Sequence, residues 1–139
     1  MIKKLLLLII ILMTSLFGDT IEYKADITAI EAYKMQQNGV ILVDTRTKKE
    51  YDFMHPKGAI LIESYFEKDG QRVFNDDFVT QVEDLVSMNL SKEIVLICRS
   101  GSRSKKVATI LAENGFSNIY NVKTGFVYDW IKEKLPIEK

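Results

Sequence analysis

Two short runs, Val40-Ile41-Leu42-Val43 and Ile94-Val95-Leu96-Ile97, constrain this chain more than any other stretch. Each is continuously apolar, rich in β-branched residues, and followed at once by a residue able to do chemistry. A strand with one wet face would alternate apolar and polar positions. An unbroken run must be covered on both faces, the situation of a strand inside a parallel sheet. Parallel neighbours cannot be joined by a tight hairpin, so helices have to carry the chain back between them.

The rest of the sequence supplies those helices. Ile21 to Ile27 alternates and predicts a short edge strand. Thr28 to Glu31 has the spacing of a capping box, and Ile30, Tyr33 and Met35 follow before Gly39. Thr47 to Glu50 repeats that spacing ahead of a short helix through Phe53. Ala59 to Ile62 predicts a third strand, and 63–75 a polar connection with Lys68-Asp69-Gly70 as its turn. Asn75 is placed to cap a helix whose apolar face is Phe78, Val82, Leu85 and Val86. A strand over 117–122 and a loop at Lys123-Thr124-Gly125 precede a last amphipathic helix carrying Phe126, Trp130, Ile131 and Leu135, closed by Pro136. Strands alternating with helices in this way predict an α/β domain with a largely parallel sheet covered on both faces.

The second apolar run delivers Cys98 to a strand's carboxyl end, followed by Arg99, Ser100, Gly101, Ser102, Arg103 and Ser104. From Ser102 the pattern turns helical, with Val107, Ile110 and Leu111 facing the core and Gly115 ending the helix. The small residues between permit a tight loop with inward-pointing N–H groups. Such a loop, opening a helix, makes an anion cradle that favours a thiolate over its thiol. A lone cysteine is commonly just a small buried hydrophobe. That accounts for neither arginine nor the glycine. Asp44 and Arg46 end the other run, also at a strand's carboxyl edge, where parallel sheets bind ligands. They fit equally a solvated loop in which Arg46 pairs with a nearby acid.

With 139 residues, 47% hydrophobic and 27% charged, the chain suits a single globular domain. The N-terminus stands apart. Lys3 and Lys4 precede an apolar run from Leu5 to Met13, with Gly18 shortly after, in the order of a secretory leader. The run is shorter than the about 20 residues of a spanning helix, so residues 1–18 are expected to be cleaved, leaving 19–139 exported, to the periplasm, without stable membrane insertion. The alternative is an uncleaved anchor. Removing 1–18 takes two lysines and no acid from a net charge of +0, leaving about −2. No basic stripe emerges, which argues against nucleic acid as a partner. With Cys98 as the one cysteine and His55 as the one histidine, neither an internal disulfide nor a metal cluster is expected. His55 is read as a structural turn residue bonded to backbone.

Cys98-Arg99-Ser100-Gly101-Ser102-Arg103-Ser104 resembles the active-site loop of single-domain rhodaneses, sulfurtransferases that carry sulfane sulfur as a cysteine persulfide. Asp44-Thr45-Arg46, Glu50-Tyr51 and His55 to Ala59 are similar to the family pattern D-x-R, E-F, G-H-x-P-G-A. Two departures stand out: Met54 occupies the usual glycine position, and Pro56 comes one place early with Lys57 in its stead. The resemblance spans about residues 22–135. It implies a three-layer α/β/α fold around a mostly parallel five-stranded sheet, with Trp130 in a segment beside the active site.

It also implies a function. Cys98 would attack the outer sulfur of a small anionic donor such as thiosulfate or polysulfide, and a thiol or cyanide would take the sulfur away. Arg99 to Arg103 would bind the donor, with Asp44, Arg46 and Ser104 in support. Arg103 could instead fold back onto Asp44 and brace the loop. No cofactor and no metal are expected, and the oligomeric state is left open.

Three competing functions draw on other spacings. Cysteine phosphatases and arsenate reductases use C-x5-R, whereas Arg103 follows Cys98 after four residues and Ser104 fills the sixth position. Disulfide exchange needs a resolving cysteine. A non-catalytic rhodanese-fold binding or sulfur-carrier module would present the same loop to a partner.

Overall fold

The computed structural model describes residues 20–139. The expected leader, residues 1–18, lies outside the described residues. Five strands form one sheet: β1 (Ala25–Ile27), β2 (Ile41–Asp44), β4 (Ile60–Leu61), β7 (Ile94–Ile97) and β8 (Ile119–Val122). Their order is β1-β8-β7-β2-β4 and every pairing is parallel. The strand that leads into Cys98, β7, is therefore central, and all its four residues are buried.

Alternation along these strands divides the core in two. Val43, Ile94, Leu96 and Ile119 face Phe78 and Val82 of α3 (Phe78–Leu85) and Val107 and Leu111 of α4 (Ser102–Glu113). Leu42, Val95, Ile97 and Val122 face Ala29 and Ala32 of α1 (Ala29–Gln37), together with Phe126 and Trp130. The result is the expected three-layer α/β/α arrangement.

Local signals explain most boundaries. Both capping boxes close: Thr28 with Glu31 at α1, and Thr47 with Glu50 at α2 (Lys48–Phe53). The first strand is shorter than its alternation suggests and starts at Ala25, because only 25–27 pair with β8. The polar connection 63–75 is a β-hairpin, β5 (Tyr65–Lys68) with β6 (Gln71–Phe74). Asp69 and Gly70, at φ 51° and 74°, form its two-residue turn. Asn75 lies ahead of α3 instead of capping it. Its side chain accepts from the Asp77 N–H and donates to the Glu63 carbonyl and Gln81, stitching hairpin to helix.

The stretch after β8 also differs from expectation. Phe126–Trp130 is a π-helical turn, followed by turns to a short strand β9 (Ile137–Glu138), in place of a regular helix to Leu135. Trp130 is fully buried, stands edge-on to Tyr33, and donates from Nε1 to the Pro136 carbonyl at 3.0 Å. Strand β9 pairs with β3 (His55–Pro56). His55 is a structural residue, with Nδ1 2.8 Å from the Tyr51 carbonyl and its ring stacked on Tyr51. Met54 is tolerated where the family pattern has glycine because its φ is −172°, extended backbone open to any residue.

Candidate active site

Cys98 follows the central strand directly and is fully buried. The chain then turns sharply. Gly101, with φ +96°, aims its N–H back at the cysteine, 3.1 Å from Sγ. Glycine is required there on two counts. The φ is left-handed, and a Cβ would lie 1.9 Å from the Lys123 carbonyl oxygen. Ser104, in the first turn of α4, places Oγ 3.2 Å from the same sulfur.

A second loop clamps the first from below. Phe126 and Val127 donate their N–H groups to the Cys98 and Arg99 carbonyls at 2.8 and 3.1 Å. Gly125 permits this approach, since a Cβ there would meet both carbonyls at 2.6 Å. The Lys123-Thr124-Gly125 loop thus lies at the Cys98 edge, as expected, and fixes the backbone around the sulfur. From β2, Thr45 donates both N–H and Oγ–H to the Ile97 carbonyl, one residue before Cys98.

The charged residues separate into bracing and exposed groups. Asp44 and Arg46 are buried and paired, Nη2 to Oδ2 at 2.6 Å with Nε 3.0 Å from both carboxylate oxygens. Arg46 also donates to the Met54 carbonyl and lies over the Phe126 ring, so it ties the end of β2 to the clamp loop. Arg103 is engaged as well. Its Nη1 and Nη2 meet Glu50 Oε2 and Oε1 at 2.7 and 2.8 Å. Of the two roles the sequence leaves open for Arg103, the geometry realises loop bracing, with Glu50 and not Asp44 as the partner. Asp44 is already taken by Arg46. Burial of Glu50 opposes its ionisation, yet hydrogen bonds from Arg103 and Thr47 and the charge of Arg103 outweigh it. The carboxyl is held down at about 2. Arg103 is shifted upward, chiefly by its bonds to Glu50.

Arg99, Ser100 and Ser102 are exposed. Arg99 stands 5.4 Å from the Tyr128 ring centroid and borders two clefts. One, of about 770 Å³, includes Lys49, Glu50, Phe53 and Arg72. The other, of about 260 Å³, is lined by Arg46, Phe53, Met54, Phe126 and Ile131. Arg99 is therefore the arginine of the loop free to meet an anion. Glu50 entered the sequence reading only through its capping box and motif position. Asn121, which proves to bond Ser104, and Asp26, which bonds Asn121 from the far side, left no signal beyond standing at strand positions.

The arrangement is a buried cysteine at the carboxyl edge of a parallel sheet, with one loop amide facing its sulfur, one arginine exposed and one locked. Comparison with known proteins agrees. The model of the rhodanese-like domain matches residues 28–133. Thiosulfate sulfurtransferase GlpE of Haemophilus influenzae is 34% identical over 113 residues, covering 81% of this chain and 93% of that protein. Thiosulfate sulfurtransferase 18 of Arabidopsis thaliana is 32% identical over 109 residues, 77% of this chain and 78% of its own. The crystal structure of Rv0390 from M. tuberculosis superimposes with a TM-score of 0.68 at 26% identity, covering 84% of this chain and 98% of that one. With the family model spanning most of its length and the sheet, loop and cysteine in the expected places, the chain belongs to the rhodanese-like domain family.

Proposed function

We propose that this protein is a sulfurtransferase that carries sulfane sulfur on Cys98. The observation that carries the proposal is the Cys98 sulfur itself, fixed at the end of the central strand with the Gly101 amide 3.1 Å away. The relatives named thiosulfate sulfurtransferases support it.

The cycle is a double displacement. Cys98 thiolate attacks the outer sulfur of thiosulfate; a new S–S bond forms, the donor's S–S bond breaks, and sulfite leaves with that electron pair. The enzyme is left as a persulfide anion. Cyanide or a thiolate then attacks the outer sulfur, and the Cys98 thiolate leaves with the electron pair, completing the cycle as thiocyanate or an acceptor persulfide. Polysulfide fits the same chemistry as donor. Arg99 binds the anionic donor and steadies the departing anion; amides of residues 99–103 hold the terminal sulfur; Glu50 and Asp44 keep the two braced arginines in place. Because the sulfur is fully covered in this conformation, the exposed Arg99-Ser100 segment has to yield as the donor arrives. Residues 1–18 act as a cleaved leader that sends the domain 19–139 to the periplasm. N-terminal sequencing of protein from the periplasmic fraction checks that part; a chain beginning at Met1 overturns it.

Intact mass after incubation with thiosulfate tests the chemistry. A gain of about 32 Da on the wild type, absent from Cys98→Ser and reversed by cyanide with thiocyanate release, is the expected result. No adduct from thiosulfate or polysulfide, on a folded protein whose Cys98 still alkylates, would refute sulfur transfer and favour the binding module.

A further inference from the structure

Ser104 has one hydroxyl proton and three acceptors around it. Asn121 Oδ1 is 2.6 Å away, Cys98 Sγ 3.2 Å and the Gly101 carbonyl 3.3 Å. Ser104 and Asn121 are both buried, which sets these three acceptors in direct competition for the proton. Which acceptor receives the proton depends on which end of the Asn121 amide faces the serine. That end is fixed from the far side. Asn121 Nδ2 lies 2.9 Å from Asp26 Oδ1, and a carboxylate can only accept. Tyr23 also donates to Asp26 Oδ1 at 2.8 Å.

We propose that Asp26 and Asn121 are positioning residues that turn the Ser104 hydroxyl away from the Cys98 sulfur. The amide NH2 is claimed by Asp26, so Oδ1 faces Ser104 and takes its proton over the shortest of the three contacts. Ser104 then presents a lone pair to Sγ. That pairing suits a thiol, whose S–H can donate to Ser104, and a persulfide, whose inner sulfur is neutral and needs no donor. It does not suit the free thiolate, which keeps the Gly101 amide but is denied the hydroxyl. The pair therefore favours the loaded cysteine over the discharged anion. This inference rests on Cys98 being the sulfur carrier, and concerns residues of β8 and β1, outside the loop.

The charged groups around this axis come from several elements. Arg99 and Arg103 flank the cysteine on its own segment, the Asp44–Arg46 pair stands at the end of β2, and Glu50 reaches in from α2. Behind Asn121, Asp26 has Lys105 and Lys123 for neighbours. None but Asp26 bonds the Asn121 amide, so the variants below leave the others in place.

The test is the rate of Cys98 alkylation by iodoacetamide against pH, over the range in which each variant stays folded by circular dichroism. Asn121→Ala frees the hydroxyl for the thiolate, and the midpoint of the profile is expected to fall by about one pH unit. Asp26→Ala, at an exposed position, lets the amide flip and moves the midpoint the same way by less; unlike a bare charge effect, the shift persists at high salt. Ser104→Ala does not raise the midpoint, and adding it to Asn121→Ala abolishes the downward shift. Unchanged profiles in folded Asn121→Ala or Asp26→Ala, or a midpoint raised by Ser104→Ala, overturn the proposal. If Asn121→Ala does not fold, Asp26→Ala and Ser104→Ala decide. Alkylation needs no sulfur donor, so a profile that behaves as expected without persulfide formation sinks the sulfurtransferase reading alone, and the reverse sinks the positioning pair alone.

Discussion

Replacing Glu50 by Gln removes one negative charge and leaves the shape. Arg103 then keeps its buried guanidinium facing a neutral amide, with a side chain only 10% exposed. Breaking a fully buried pair costs about 3–5 kcal/mol, and this one is partly open on the carboxylate side, so about 2 kcal/mol is the expected loss at neutral pH. The lowered carboxyl of Glu50 points the same way. A carboxyl lowered from 4.5 to about 2 on folding corresponds at face value to about 3 kcal/mol, which solvent screening reduces to about 2 kcal/mol. The sign follows from the depressed value. The contribution is complete above the unfolded value of 4.5 and is lost as pH falls toward about 2. Urea unfolding of wild type and Glu50→Gln at several pH values measures it. The midpoints should differ by about 1 M urea at pH 7. At about pH 3 the free-energy gap should shrink to well under half, because most of the unfolded-state carboxyl is then protonated. A gap that is absent at neutral pH, or that stays constant on acidification, refutes the idea that this ion pair locks the loop.

Other substitutions separate the braces from the site. Gly101→Ala puts a Cβ against the Lys123 carbonyl at a left-handed φ, and should cost more than about 2 kcal/mol in thermal or urea unfolding while disordering the amide that faces Cys98. A stable, fully active Gly101→Ala would show that the two loops are not in contact in solution. Arg99→Ala should leave stability within about 0.5 kcal/mol, since the side chain is exposed. It should raise the KM for thiosulfate about tenfold, the value of one lost charge-assisted contact, with persulfide still forming at saturating donor. Steady-state thiocyanate production reads both parameters, and an unchanged KM assigns donor binding elsewhere.

What the sequence disclosed and what it withheld divide along the range of the interactions concerned. The runs ending at Val43 and Ile97 were legible as buried parallel strands because burial on both faces shows in the run itself. Both capping boxes were legible because a threonine and a glutamate three residues apart satisfy each other locally. The β5–β6 hairpin was masked by charge: Glu67, Lys68, Gln71 and Arg72 are all exposed and hide the alternation, although the Asp69-Gly70 pair between them is a strong hairpin-turn signal. The π-helical turn at Phe126 follows from two loops meeting, which no local pattern encodes.

The two arginines beside Cys98 show why residue type fell short of role. Four positions apart on one loop, they carry the same charge and match the same family motif, and nothing within the motif ranks them. A glutamate 53 residues away distinguishes them. Glu50 sits on α2 because Thr47 caps that helix, and α2 lies beside the cysteine loop because β2 pairs with β7. Once Glu50 takes both terminal nitrogens of Arg103, a fixed cation remains to support the loop and Arg99 alone is left to reach outward. The same logic governs Ser104, whose hydroxyl direction is set through Asn121 by a carboxylate on another strand. At this site the motif specifies which groups are present, and the sheet order specifies which of them are free to act.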